Sequence, residues 1–417
     1  MIRLRQHVSA PKLDDVKVDL TNQLKIIQSQ IALKSGATVA VACSSRGITG
    51  YDRIVAQTVV ALKEMGLHPF IVPAMGSHGG ANGHGQVRLL SHLGITEASM
   101  GVPIRSSMEV VEISQTQDGL PVYIDKNAFQ ADYIVPINRI KKHTEFENKD
   151  FESGLLKMLA IGLGKQKGAA TYHGAMIDYG YARVLLSVAR EVLRCTPLLF
   201  GIGIVENAYR ETARIEAILP EQFEAREKAL LKEAKALDIG LPFDQADILI
   251  IDEIGKEISG TGFDTKVAGR IGLPLLSAEP ATPQIKRIVI CNMTDASEGN
   301  AIGVGVADFV TRRLVDKIDF KAFYVNSLTG VTPEMGKIPV TLENDRECIM
   351  AAGKCVGRIL PEKQKVIRIK STLYLKDIEV SEAYLENICD RNDLEILQNV
   401  KPMQFDPDGN LLPIEIN

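Results

Sequence analysis

A chain of 417 residues is long enough for two domains that each bury a full core. With 45% hydrophobic and 24% charged residues it has a globular balance, and a formal charge of −4 gives no electrostatic ground for nucleic acid or a membrane as partner. No run is apolar enough to span a bilayer and no charged-then-apolar leader opens the chain, so the expectation is a cytoplasmic protein acting on small molecules.

The first 35 residues read as a short polar start and an amphipathic segment, VDLTNQLKIIQSQI. ATVAVAC (37–43) is a β-branched apolar run bounded by glycine and serine, and YDRIVAQTVVALKEMG (51–66) has a helical apolar period that stops at a glycine. The unit repeats as the strand HPFIVPAM (68–75), the loop GSHGGANGHG (76–85) and the helical QVRLLSHLG. A strand is expected over 132–137, then a helical tract over 175–193, a buried strand LLFGIGIVEN (198–207) and a charged helix, LPEQFEAREKALLKEAKAL. GLPFDQ reads as a linker, which divides the chain into an N-terminal cofactor-binding domain (1–240) and a C-terminal domain closing over the substrate (241–417). The second series has strands at 246–255 and 286–294, helices near 305–317 and 343–358, and the strand KVIRIKS. This alternation predicts the α/β class: two α/β domains with mainly parallel sheets, an active site in the cleft between them, and ligands gathered beyond the carboxyl ends of strands.

Six cysteines (Cys43, Cys195, Cys291, Cys348, Cys355, Cys389) form no CxxC pair and read as reduced thiols. The chemistry concentrates in residues 136–174, PINRIKKHTEFENKDFESGLLKMLAIGLGKQKGAATYHG, which hold two of the seven histidines. His143, between Lys141 and Lys142 and the acidic run 145–150, has a side chain that titrates near working pH. Lys157 lies in the apolar LLKMLAIGLG, where an amine can act as a nucleophile, carry a covalent cofactor, or reach the surface along its stem. His78 stands at a strand end among glycines that let a backbone approach a ligand, and His84 reads as a polar loop residue. Arg46, in SSRGITG, offers a fork for a carboxylate or phosphate. Lys266 and Arg270 would share one face if a helix began after Asp264. GVGVAD, before an expected helix, lacks the full dinucleotide fingerprint.

With Arg46, His78, His143, Lys157 and His173 in this order, the chain resembles the lactate racemase family, the 2-hydroxy acid racemases and epimerases that use a nickel-pincer nucleotide. SSRG resembles the family's Asp-x-Thr-Arg loop without its acidic and threonine positions, and GSHGG its Gly-Thr-His-Arg loop. KKH and SGLLK are similar to its Pro-His and Ser-Gly-Gly-x-Lys, at a longer interval, and His173 falls at the later metal-binding histidine. The resemblance implies a covalent thioamide to Lys157, cofactor contacts from Ser45, Arg46, Gly76 and Ser77, nickel on His173, and His78 and His143 as the acid/base pair. It further implies inversion at C2 by hydride transfer to and from the cofactor through a keto acid. GTGFDTKVAGRIG resembles the family's second-domain motif with Gly269 and Gly272 at the glutamine and lysine positions, leaving the substrate carboxylate to Arg46, Lys266 and Arg270. A dicarboxylate or sugar acid is expected rather than lactate. The partners implied are that acid and the enzymes that build the pincer, with homo-oligomerisation left open. Two alternatives stand beside this one: an oxidoreductase with exchanging NAD, and an idle homologue that binds a nucleotide or metabolite.

Overall fold

The computed structural model describes residues 1–414 other than Arg46, Glu145 and Glu147. The chain is mixed α/β and divides into two compact units: Ala10–Asp238 with Thr329–Val331, and Met1–Ser9 with Ile239–Leu328 and Thr332–Asn417. Among the described residues no helix is long and apolar enough to cross a membrane.

The first unit is built on a five-stranded sheet in the order His68–Pro73, Thr38–Cys43, Tyr133–Arg139, Gly201–Glu206, Thr212–Ile218. The first four strands are parallel and the last runs antiparallel. Thr38–Cys43 is an unbroken apolar run because helices cover both faces of a parallel sheet, and Val39 to Cys43 are fully buried. The helix Tyr51–Glu64 turns Tyr51, Ile54, Val55, Thr58, Val59, Ala61 and Leu62 inward, and Gly66 ends it at φ +77.

The tract expected as one helix over 175–193 is two, Lys165–Tyr179 and Tyr181–Cys195. Gly180 separates them at φ 80 and ψ 151, a conformation that excludes helix continuation and disfavours any side chain. The hairpin Val110–Gln115/Pro121–Asp125 and the strand Thr212–Ile218 carry mixed polar and apolar residues, and the sequence reading passed over them.

In the second unit eight strands are ordered Val340–Leu342, Phe309–Thr311, Gln284–Met293, Gln245–Ile254, Val366–Ile369, Asp377–Val380, Ile2–Gln6, Leu394–Gln398. The first five are parallel and the remaining pairings antiparallel. The helix expected near 305–317 is instead a 3₁₀ turn, Val304–Val306, the strand Phe309–Thr311 and a short helix, Arg312–Asp316. The strand is buried on both faces: Val310 and Thr311 are fully buried and Phe309 nearly so.

Candidate active site

Strand order locates the first place to look. From Thr38–Cys43 the chain steps to His68–Pro73 on one side, then crosses to Tyr133–Arg139 on the other. Neighbouring parallel strands whose connections leave in opposite directions open a crevice beyond their carboxyl ends. The loops that enter it follow Cys43, Pro73 and Arg139, and carry Ser45, His78 and His143.

Tyr51 ties two of these strand ends together, its hydroxyl accepting from Ser44 N at 2.8 Å and donating to the Ile137 carbonyl at 2.9 Å. Arg139 is buried against Glu206, which also accepts from Thr49 N at 2.8 Å and meets Arg210 at 3.5 Å. Burial pushes the Glu206 carboxyl up, but Arg139 and Arg210 outweigh it and hold it below the ordinary range. The loop after Cys43 is thereby anchored by a charged group of another strand end. Ser45 Oγ lies 2.5 Å from His78 Nδ1, joining adjacent loops. Arg46, assigned to cofactor and substrate, lies outside the described residues.

The loop bearing Gly76, Ser77 and His78 is tightly turned. Gly76 has φ +58, and a Cβ there would stand 3.3 Å from the Ile161 carbonyl. Gly79 and Gly85 pack backbone to backbone, so that a Cβ on Gly85 would come within 1.8 Å of the Gly79 oxygen. Asn82 accepts from Gly85 N at 2.7 Å and starts the helix Gly83–His92, on which His84 is exposed.

His143 is 7% exposed, and its Nε2 meets Lys157 Nζ. Its Nδ1 lies 3.3 Å from Phe146 N, its peptide N–H donates to Glu152, and its ring packs on Phe146 and Tyr181 at 4.8 and 5.5 Å. Lys157 is half-buried and ends the short helix Leu155–Lys157, which runs into the π-helical turn Met158–Gly162. Such turns recur at functional sites. The lysine with no exposure is Lys165, which the apolar-neighbour rule did not single out.

Beneath Lys157 sits a group that sequence reasoning missed. Glu227, 1% exposed, accepts from Leu156 N at 3.0 Å, and a Cβ on Gly154 would fall 2.4 Å from its Cδ. Burial pushes this carboxyl up to about 7, against the pull of the Leu156 and Leu155 amides. The glycine in SGLLK was the available signal: it leaves room for a carboxylate at a helix N-terminus.

His173 lies on Lys165–Tyr179, half-buried, its Nδ1 3.3 Å from the carbonyl of Thr329, whose segment Thr329–Val331 belongs to this unit. Burial, then the charge of Lys157, lower its pKa to about 4, so it is a neutral imidazole, the form that ligates metals. Among the described residues no group of three or more His, Cys, Asp or Glu could hold a metal ion. A metal at His173 would draw most of its donors from outside the described residues. A lone neutral imidazole within the electrostatic reach of a lysine fits a group that brings its own metal ligands.

The other assigned residues stand in the second unit or away from these loops. No helix begins after Asp264: residues 265–269 form a turn in which Asp264 accepts from Lys266 N at 3.0 Å. Arg270 is a structural strut there, pairing with Asp308 at 2.8 Å and donating to the Val306 carbonyl at 3.1 Å. Cys43 is fully buried, and burial pushes its thiol up to about 12, so it is no nucleophile.

Residues 9–183 match the family model described as lactate racemase N-terminal domain. Comparison with curated proteins gives no match. Among solved structures, the lactate racemase apoprotein from Thermoanaerobacterium thermosaccharolyticum is 13% identical with a TM-score of 0.48, covering 90% of this chain and 99% of that chain.

Proposed function

We propose that this chain, whose residues 9–183 match the lactate racemase N-terminal domain, is a racemase or epimerase that inverts C2 of a 2-hydroxy acid with a nickel-pincer nucleotide held on Lys157. The observation that carries the reading is the contact of His143 with Lys157, beside a histidine, His173, kept neutral in the same unit. Lys157 would hold the cofactor covalently and His173 would ligate its nickel. Bound there, the cofactor supplies a hydride acceptor, which spares the chain from stabilising a carbanion next to a carboxylate.

The chain's own residues do the rest. His143, its ring packed against the stacked pair of Phe146 and Tyr181, takes the hydroxyl proton of one enantiomer, and His78, oriented by Ser45, that of the other. Committing Lys157 to an amide-like bond removes a cation from beside His143 Nε2 and from the surroundings of His173. Ser45, Gly76 and Ser77 are proposed for the cofactor side, and Arg46 is the cation proposed for the substrate carboxylate. A larger, more polar acid than lactate is proposed, since small glycines stand at two positions of the second-domain motif, Gly269 and Gly272.

The test is chiral chromatography of single enantiomers of a panel of dicarboxylic and sugar 2-hydroxy acids, with protein co-expressed with the cofactor-building enzymes. We expect one member to racemise, and His78→Ala and His143→Ala each to slow it by about 10²–10⁴-fold. Variants as fast as the parent chain would remove both histidines from the mechanism. Stoichiometric reduction of added NAD by substrate would replace the reading by an oxidoreductase.

A further inference from the structure

Among the polar side chains of the first unit with no exposure and no part in the chemistry above are Gln86, Asp125 and Lys165. Burying an ammonium is costly unless it is paired and hydrogen-bonded. Lys165 meets that demand with two hydrogen bonds, its Nζ 2.5 Å from the Pro73 carbonyl and 2.9 Å from Gln86 Oε1, and an ion pair to Asp125 Oδ2 at 3.0 Å. Its backbone accepts φ +54 to reach them.

The three partners are not equivalent. Pro73 ends the strand from which the His78 loop leaves, and Asp125 caps the short helix Lys126–Phe129 through Ala128 N at 2.9 Å. Gln86 carries the connection onward: its Nε2 donates to the Gly76 carbonyl at 2.8 Å and the His78 carbonyl at 3.3 Å. The Lys165 ammonium thus fixes which end of the Gln86 amide is the oxygen, and so turns the NH₂ toward the loop. The same loop is held from the other side, where Gly76 N donates to the Gly162 carbonyl at 3.0 Å, in the π turn that follows Lys157.

We propose that Gln86, oriented by Lys165 and its counter-charge Asp125, is a positioning residue that sets the placement of the His78 imidazole relative to the Lys157 turn. The catalytic consequence rests on the reading of His78 given under Proposed function; the positioning itself does not. A packed apolar core would have served the fold as well at this place. A buried ammonium, carboxylate and amide in one chain instead specify a single loop geometry.

The test uses two full-length variants and the seven histidine ring signals in ¹³Cε1-labelled protein, with His78 assigned by His78→Asn. Gln86→Met removes both donations to the loop. Gln86→Glu keeps the size and the pairing with Lys165 but, ionised, cannot donate to a carbonyl, and it decides the matter if Gln86→Met does not fold. We expect the His78 signal to shift or broaden in each folded variant while the signal of His68, at the opposite end of the strand His68–Pro73, stays in place. In cofactor-loaded protein kcat should fall on the order of 10²-fold, the scale of a small misplacement of a catalytic group. A lower Tm with His78 signals superimposed on the parent's in the folded variants would reduce Gln86 to a structural role and overturn the proposal. A shifted His78 signal in a chain that racemises nothing would keep the brace and sink the racemase reading instead.

Discussion

Glu227 holds its proton at pH values where an exposed glutamate has lost it, because burial raises its carboxyl to about 7. In the unfolded chain it titrates near the ordinary value of about 4.3. The folded state therefore binds more protons between these limits, and the contribution of this carboxyl is fully present below the unfolded value and lost as pH rises through about 7. On the order of 3 kcal/mol is at stake. Glu227→Gln should flatten this part of the profile: thermal melts from pH 4.5 to 8 should show the parent losing ground to the variant as pH rises, and parallel curves would contradict the assignment. At this scale the sequence was legible where a residue breaks the character of its neighbours. Lys157 in LLKMLAIGLG and His78 among glycines stood out for that reason. Lys165, flanked by GLG and QKG, looked like an ordinary polar turn, and Glu227 meets its partner Leu156 across 71 positions of chain, a distance no local pattern spans.

Among the elements, the parallel strands were the readable part, because burial on both faces writes a continuous apolar run such as TVAVAC. The strands Val110–Gln115 and Thr212–Ile218 bury one face or less, and their mixed composition hid them. The helix break at Gly180 was hidden for another reason: a glycine within a helical pattern is tolerated until tertiary packing demands a positive φ. Two glycines near the candidate site test how these elements are held. A methyl group on Gly85 has nowhere to go, because the Gly79 carbonyl would lie 1.8 Å away, and Gly85→Ala should cost about 1–3 kcal/mol by forcing the loop from the helix. A methyl on Gly174 meets nothing within 4 Å, and Gly174→Ala, inside Lys165–Tyr179, should gain roughly 0.5–1 kcal/mol. Urea denaturation of the pair checks both signs, and a neutral Gly85→Ala would mean that the loop and helix do not pack as described.

For the whole molecule, the first nine residues belong with the far end of the chain. Ile2–Gln6 is an interior strand of the second unit, paired to Asp377–Val380 on one side and Leu394–Gln398 on the other, with Ile2 and Leu4 buried. Sequence reading took this stretch for a polar start, since IRLRQ alternates and a single short alternating run carries little signal. Removing residues 1–9 should leave two unpaired strand edges and forfeit roughly 3–6 kcal/mol of apolar burial from Ile2 and Leu4 as an upper bound. Differential scanning calorimetry should then show the second unit melting earlier while the first holds; a single unchanged transition would contradict the pairing.

The proposed chemistry of the whole rests on Lys157. The most direct measurement is intact-protein mass spectrometry with nickel analysis on chain co-expressed with the pincer-building enzymes, beside Lys157→Ala and His173→Ala. The account predicts a cofactor-sized adduct mapping to the Lys157 peptide with about one nickel per chain, no adduct in Lys157→Ala, and nickel lost from His173→Ala. An unmodified, nickel-free chain, obtained while a lactate racemase carried through the same co-expression is loaded, would contradict it.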